Sequence, residues 1–251
     1  MPRVFFSYTE EDVRPLAREL FFKAVKFDFT RDKHHRMLAE AERVLEAGIG
    51  GIDVRGYYEI FGPGSYRHNS VRIPARSGGA AQPERAADSL EIRAVAFSRF
   101  PDASVRQVIP YIITGGECVC YNEDDIAELL FAHMWGTAYV DAGRLLFERD
   151  LKRLIEPLQG VGLSPAFSPG FYGMSHGQSR EIAEALGASD IGITVLDSGT
   201  MLPIKTVSGV YLVADGSADF PTDECLICIG NRENCSQCMI RNKKIIERRA
   251  D

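Results

Sequence analysis

No stretch of this chain approaches the ~20 uninterrupted apolar residues that a membrane-spanning helix requires, so no such span is expected. The first residues, Met1-Pro2-Arg3-Val4-Phe5-Phe6, are followed at once by Thr9-Glu10-Glu11-Asp12, and these acids cut off the apolar patch before a secretory core forms. Positive charge is also short. Against 35 acidic residues stand 29 basic ones, a net charge of -6, which leaves no broad cationic face to track a phosphate backbone and argues against nucleic acid as a partner. Internal repeats, a phosphate loop, a dinucleotide fingerprint and a nucleophile elbow are all missing, which removes the signatures of the commonest enzyme classes. These absences predict a cytoplasmic protein with reduced thiols and no membrane partner.

What is present is an ordinary globular composition: 251 residues, 45% hydrophobic, 25% charged, mean hydropathy -0.12. Disorder and collagen-like structure are excluded. Helical periodicity runs over 12–26 and 32–47, the second with Met37, Leu38, Ala41, Val44 and Leu45 on one side and Gly48-Ile49-Gly50-Gly51 at its end. Residues 61–88 are rich in Gly, Pro, Ser, Arg and Ala. They read as a flexible insertion with one candidate strand, 70–75. Strands are expected over 90–97 and 107–113. A long helix follows, capped by Asn122, with Glu123, Asp124 and Asp125 in its first turn, reaching about Leu158 and broken near Gly136 or Gly143. Ser175-His176-Gly177-Gln178 fits a capping box opening a further helix with Ile182, Ala183 and Leu186 inward and Gly187 at its end. Strands over 191–196 and 207–213 complete a pattern without regular βαβ alternation, which predicts an α+β fold.

The cysteines are unevenly placed. Cys118 and Cys120 lie mid-chain and read as reduced thiols, whereas Cys225, Cys228, Cys235 and Cys238 form Cys-x2-Cys-x6-Cys-x2-Cys. Two Cys-x-x-Cys turns can converge four thiolates on one centre, either tetrahedral zinc or an iron-sulfur cluster. Residues 220–251 are therefore expected to be a metal-binding tail. After the cluster, Arg241, Lys243, Lys244, Arg248 and Arg249 outnumber Glu247 and Asp251, as a solvated helix face or a docking strip for an acidic partner.

Two blocks in the C-terminal half stand out. In Ala166-Phe167-Ser168-Pro169-Gly170-Phe171-Tyr172-Gly173, Pro-Gly forces a turn and glycine lets backbone approach a ligand beside two aromatic rings. The second block runs from Leu196 to Tyr211 and contains Met201-Leu202-Pro203 and Val207-Ser208-Gly209-Val210-Tyr211. Each taken alone also fits a surface turn or a connection between strands.

In this order, separated by the capped helix, the blocks resemble the activation domain of cobalamin-dependent methionine synthase. That module binds S-adenosylmethionine during reductive remethylation of a corrinoid. Ser168, Pro169 and Gly170 match the first family pattern, with Phe171 and then Tyr172 where the family has tyrosine; Met201, Pro203, Val207, Ser208, Gly209 and Tyr211 match the second. The resemblance covers about 113–215. It implies a C-shaped α+β domain, here 1–219, around a twisted antiparallel sheet. It also implies a cofactor site for S-adenosylmethionine made by Ser168, Pro169, Gly170, Phe171, Tyr172, Ser208, Gly209 and Tyr211, the two blocks forming the walls of a groove.

The family's carboxylate-binding arginine falls at Ala166, and alanine offers neither charge nor a bidentate contact. Arg144 and Lys205 are the substitutes available, and Asp141 and Glu148 are the carboxylates that a sulfonium would favour. The implied function is reductive activation of a corrinoid protein or cobalamin-dependent methyltransferase. The partner supplies the corrinoid and docks on a face bearing Phe171, Tyr172 and Tyr211, and an electron donor takes part. The alternatives are a non-catalytic corrinoid-protein-binding module, favoured by Ala166, and a zinc-stabilised interaction module.

Overall fold

A computed structural model of the chain describes residues 2–28, 30–74, 89–119 and 124–216. The fold is α+β. In chain order the elements are β1 (Val4–Tyr8), α1 (Glu10–Val25), α2 (Asp32–Gly48), β2 (Ile52–Tyr58), β3 (Tyr66–Arg67), β4 (Ser70–Pro74), β5 (Ser89–Arg93) and β6 (Val105–Gly116). They continue with α3 (Ile126–Ile155), β7 (Val161–Leu163), α4 (Gln178–Leu186), β8 (Thr194–Val195), β9 (Met201–Leu202) and β10 (Thr206–Asp215). Five strands pair antiparallel in the order β1-β2-β6-β10-β7; β3-β4-β5 and β8-β9 make two smaller sheets.

The two long central strands bury both faces, and the strand period of two divides their side chains between two cores. Ile109, Tyr111 and Ile113 of β6, with Tyr211 and Val213 of β10, pack under α1, α2 and α3. Val108 and Ile112, with Val210, Leu212 and Ala214, face α4 and the β3-β4-β5 sheet. On the first side Trp135 of α3 stacks on Phe21 of α1 with ring centroids 3.8 Å apart and donates its indole N–H to the Ala41 carbonyl of α2 at 2.8 Å. One buried side chain thus ties three helices together with its polar atom satisfied.

Local signals explain most element ends. Thr9 and Asp12 form a capping box at α1, and Lys26 ends that helix in the left-handed conformation. Gly187 closes α4 in the same way, with Ile182, Ala183 and Leu186 buried. Arg3, ahead of β1, donates to the carbonyls of Leu186 and Gly187 at 2.6 and 3.0 Å, fastening the N-terminus to the end of α4.

Several expectations change. The cap of α3 is Asp125, whose carboxylate accepts from the Ala127 and Glu128 N–H groups; Asn122 lies outside the described residues. The helix is not broken at Gly136 or Gly143, because there the missing Cβ admits the Lys205 stem and Val54 against the helix surface. No capping box forms at Ser175: α4 begins from Gly177 without a side-chain cap. The strand expected over 90–97 stops at Arg93 and gives way to a 3-10 turn, Val95–Arg99, and 191–196 keeps only β8 as strand. Within the segment read as an insertion, the candidate strand 70–75 is present as β4, and it pairs with the unforeseen β3, with Tyr66, Val71 and Ile73 fully buried. Residues 75–88 lie outside the described set. Among the described residues no helix is long and apolar enough to cross a membrane.

Candidate functional site

The two sequence blocks meet at the β10 edge. Phe167 and Val210 exchange backbone hydrogen bonds at 3.0 and 2.8 Å, so the chain leading into the Pro169-Gly170 turn runs beside Ser208–Val210. Gly209 is required here: a Cβ on it would overlap the Phe167 carbonyl oxygen and come within 3.0 Å of Ser168 Oγ and of the Tyr111 ring. The Tyr111 hydroxyl lies 3.4 Å from Ser168 Oγ. The turn is closed by Phe171 N–H donating to the Ser168 carbonyl at 3.0 Å and Gly170 N–H donating to Met174 at 2.9 Å. Gly170, at φ +87, carries the His176 imidazole directly against its Cα, where any side chain would collide with the ring.

The aromatic residues of the two blocks do not share a surface. Tyr211 is 0% exposed in the core beneath α3, and Tyr172 is 6% exposed in the core on the opposite side of the sheet. A single docking face bearing Phe171, Tyr172 and Tyr211 is therefore corrected: only Phe171, 68% exposed, presents a ring to solvent. Residues two apart on a strand share a face, so Ser208 points with Val210 and Leu212 toward α4 and is buried there. The segment at Ser168 and the backbone at Gly209 come together in direct contact, held by the Phe167–Val210 hydrogen bonds rather than standing apart as two walls of a groove.

Beneath this junction α3 brings Arg144 and Glu148, one helical turn apart, against Tyr211. The Tyr211 hydroxyl donates to Glu148 Oε2 at 3.4 Å, and Arg144 Nη1 lies 3.5 Å from the same oxygen. Lys152 holds the other carboxylate oxygen at 2.7 Å. Tyr111 and Tyr211 rings lie 5.0 Å apart, centroid to centroid. Burial first, then Tyr111 and Glu148, push the Tyr211 hydroxyl well above its ordinary range. For Arg144 burial works against the charge, but the hydroxyls of Tyr211 and Tyr111 and the Glu148 carboxylate more than offset it. The result is a guanidinium and a carboxylate, each side chain 22% exposed, lying over two phenols that are fully buried in the core.

The other candidates go elsewhere. Lys205 donates to Thr137 Oγ1 at 2.9 Å. With Asp141, Leu20, Phe21 and Met134 it lines a groove of about 470 Å³ between α1 and α3. Burial lowers the Lys205 ammonium pKa, with Asp141 and Glu117 opposing. Geometry therefore separates the two pairs that the sequence left open: Arg144 and Glu148 lie at Tyr211, whereas Lys205 and Asp141 line the α1–α3 groove. His176 is exposed, and its ring contact with Gly170 was not legible in the chain. Tyr111 was also missed as a site residue; the signal was its place opposite Gly209 in the β6–β10 register.

Cys118 is buried, its thiol directed at the Val44 carbonyl 3.7 Å away. Cys225, Cys228, Cys235 and Cys238 lie outside the described residues, as does Cys120. Among the described residues no group of three or more His, Cys, Asp or Glu side chains is placed to hold a metal ion.

No protein-family model matches the sequence, and no curated protein matches it. Among solved structures the chain is similar to the crystal structure of the MetH reactivation domain bound to AdoHcy. The TM-score is 0.59 at 14% identity, over 86% of this chain and 80% of that one. The α+β fold, helices against a curled antiparallel sheet, is that of the reactivation domain.

Proposed function

We propose that this chain is an activator of a corrinoid protein or corrinoid-dependent methyltransferase that binds S-adenosylmethionine beside the Ser168–Phe171 turn. The observation that carries the reading is the seating of Phe167 and Ser168 on Gly209, directly above Arg144, Glu148 and Tyr211. Residues more than forty positions apart converge there with charged side chains on α3, in the fold of a domain solved with AdoHcy. In such a reaction a reductant supplies one electron and S-adenosylmethionine a methyl group to the partner's corrinoid, leaving AdoHcy. This chain's residues bind and orient: Gly209 seats the Ser168–Phe171 turn on the sheet, and the α3 pair fixes the ligand's charged end.

Exposed Phe171 at the rim is the ring available to the corrinoid-carrying partner. Four cysteine thiolates suit zinc or an iron-sulfur cluster, and Cys225, Cys228, Cys235 and Cys238 are the proposed ligands. An iron-sulfur cluster in that position serves electron relay from a donor.

Ala166 favours a second reading, a docking module that has lost the methyl donor. Calorimetric titration of the purified chain with AdoHcy separates the two. Saturable one-site binding supports the activator; no heat and no protection against thermal unfolding leaves the docking module.

A further inference from the structure

Arg144 occupies an unusual position for an arginine on a helix. Its side chain is 22% exposed, so it is largely withdrawn from water yet still reachable from one side. Among the described residues its single carboxylate contact is Glu148, at 3.5 Å through one nitrogen. Lys152 engages that same carboxylate more closely, at 2.7 Å. Among the described residues the guanidinium fork therefore lacks the paired, parallel carboxylate contacts that normally accompany a withdrawn arginine. The Tyr211 hydroxyl also hydrogen-bonds it, and Tyr111 lies near enough to favour its charged form.

The fork also adjoins the junction of the two blocks. Phe167 pairs with Val210, which sets Ala166 alongside Tyr211, and both belong to the core beneath α3. Tyr111, the other phenol near Arg144, reaches Ser168. An arginine on the 166 side of the junction and one on the α3 side would extend toward the same tyrosines. A phosphate dianion would be repelled by Glu148 next to the fork, whereas a zwitterion finds both signs: carboxylate to Arg144, ammonium to Glu148.

Resting on the reading above, we propose that Arg144 is the specificity residue for the amino-acid end of an S-adenosyl ligand, binding its carboxylate from α3 in place of a residue at 166.

The test compares AdoHcy with 5′-methylthioadenosine, which lacks the amino-acid end, by calorimetry on the full chain. The wild type is expected to bind AdoHcy at least about tenfold more tightly, the worth of a charge-assisted contact. In R144Q the two affinities should fall within about threefold of each other, with methylthioadenosine binding unchanged. R144K, which keeps charge and packing but not the fork, should give an intermediate gap, and the double variant R144Q/A166R should restore preference for AdoHcy. If R144Q keeps the full preference, or weakens both ligands equally, Arg144 is a packing residue and the inference fails alone. If the wild type binds both ligands without preference, the inference also fails alone. If the wild type binds neither, the function reading falls together with the inference.

Discussion

Gly209 of β10 and Phe167 of the preceding block approach so closely that a Cβ on the glycine would overlap the phenylalanine's carbonyl oxygen. That contact fixes where the Pro169-Gly170 turn stands over the sheet. Because β10 is hydrogen-bonded on its other side to β6 through nine paired positions, the strand cannot shift to make room. The junction is thus held by backbone on one side and by a missing side chain on the other.

Gly209→Ala should accordingly cost about 2 kcal/mol or more, as overpacking against backbone does, read as a lower urea midpoint with an unchanged slope. Ser208→Ala is the neighbouring control. The Ser208 hydroxyl is buried without a hydrogen-bond partner among the described residues, so its removal should be neutral or stabilising by about 1 kcal/mol. A large loss from Ser208→Ala, or none from Gly209→Ala, would contradict this packing.

Phe171→Ala should leave the melting temperature unchanged, since the ring is exposed, yet weaken a complex with the cognate corrinoid protein by more than about 1 kcal/mol. Tyr172→Ala should instead destabilise the fold by about 3 kcal/mol, through the core beside Phe167. Equal affinity of wild type and Phe171→Ala in a calorimetric titration would remove Phe171 from the docking surface.

Stability should decline at alkaline pH. Tyr211 is held above its ordinary value of 10.0 in the folded chain by burial. Burial also raises Tyr8, assisted by Asp150, and Tyr139, assisted by Glu10. The unfolded chain releases these protons first, so stability that is complete below the unfolded value is lost as pH rises beyond it. Melting scans between about pH 9 and about pH 11 should show a steep fall, shallower in Tyr211→Phe. Identical slopes in the two proteins would place the loss elsewhere.

Anaerobically purified full-length chain should carry stoichiometric iron or zinc on Cys225, Cys228, Cys235 and Cys238, measured by elemental analysis. A visible absorption that bleaches on reduction identifies iron-sulfur; a colourless stoichiometric zinc protein makes the tail structural. Cys228→Ser and Cys235→Ser should each lose the metal. Protein free of both metals would overturn the site.

The sequence by itself determined the fold class, most helices and the matched blocks, because these depend on local periodicity, caps and turn residues. Gly187 acts within a few residues of its place in the chain and could be read directly. The Thr9–Asp12 capping box is equally local, yet helical periodicity alone starts that helix at residue 12 and passes over the box. Tertiary structure decided what depends on distant partners. Gly136 and Gly143 look like helix breakers until Lys205 and Val54 are seen packed against them. Tyr172 and Tyr211 read as one aromatic surface, yet the sheet passes between them, since only the strand parity of β10 and the path of the first block set their sides. The different surroundings of Arg144 and Lys205 likewise have no trace in spacing. Both lie far from Ala166 in sequence, and only the packing of α3 under β6 and β10 brings one guanidinium to Tyr211 while the other cation turns to Thr137.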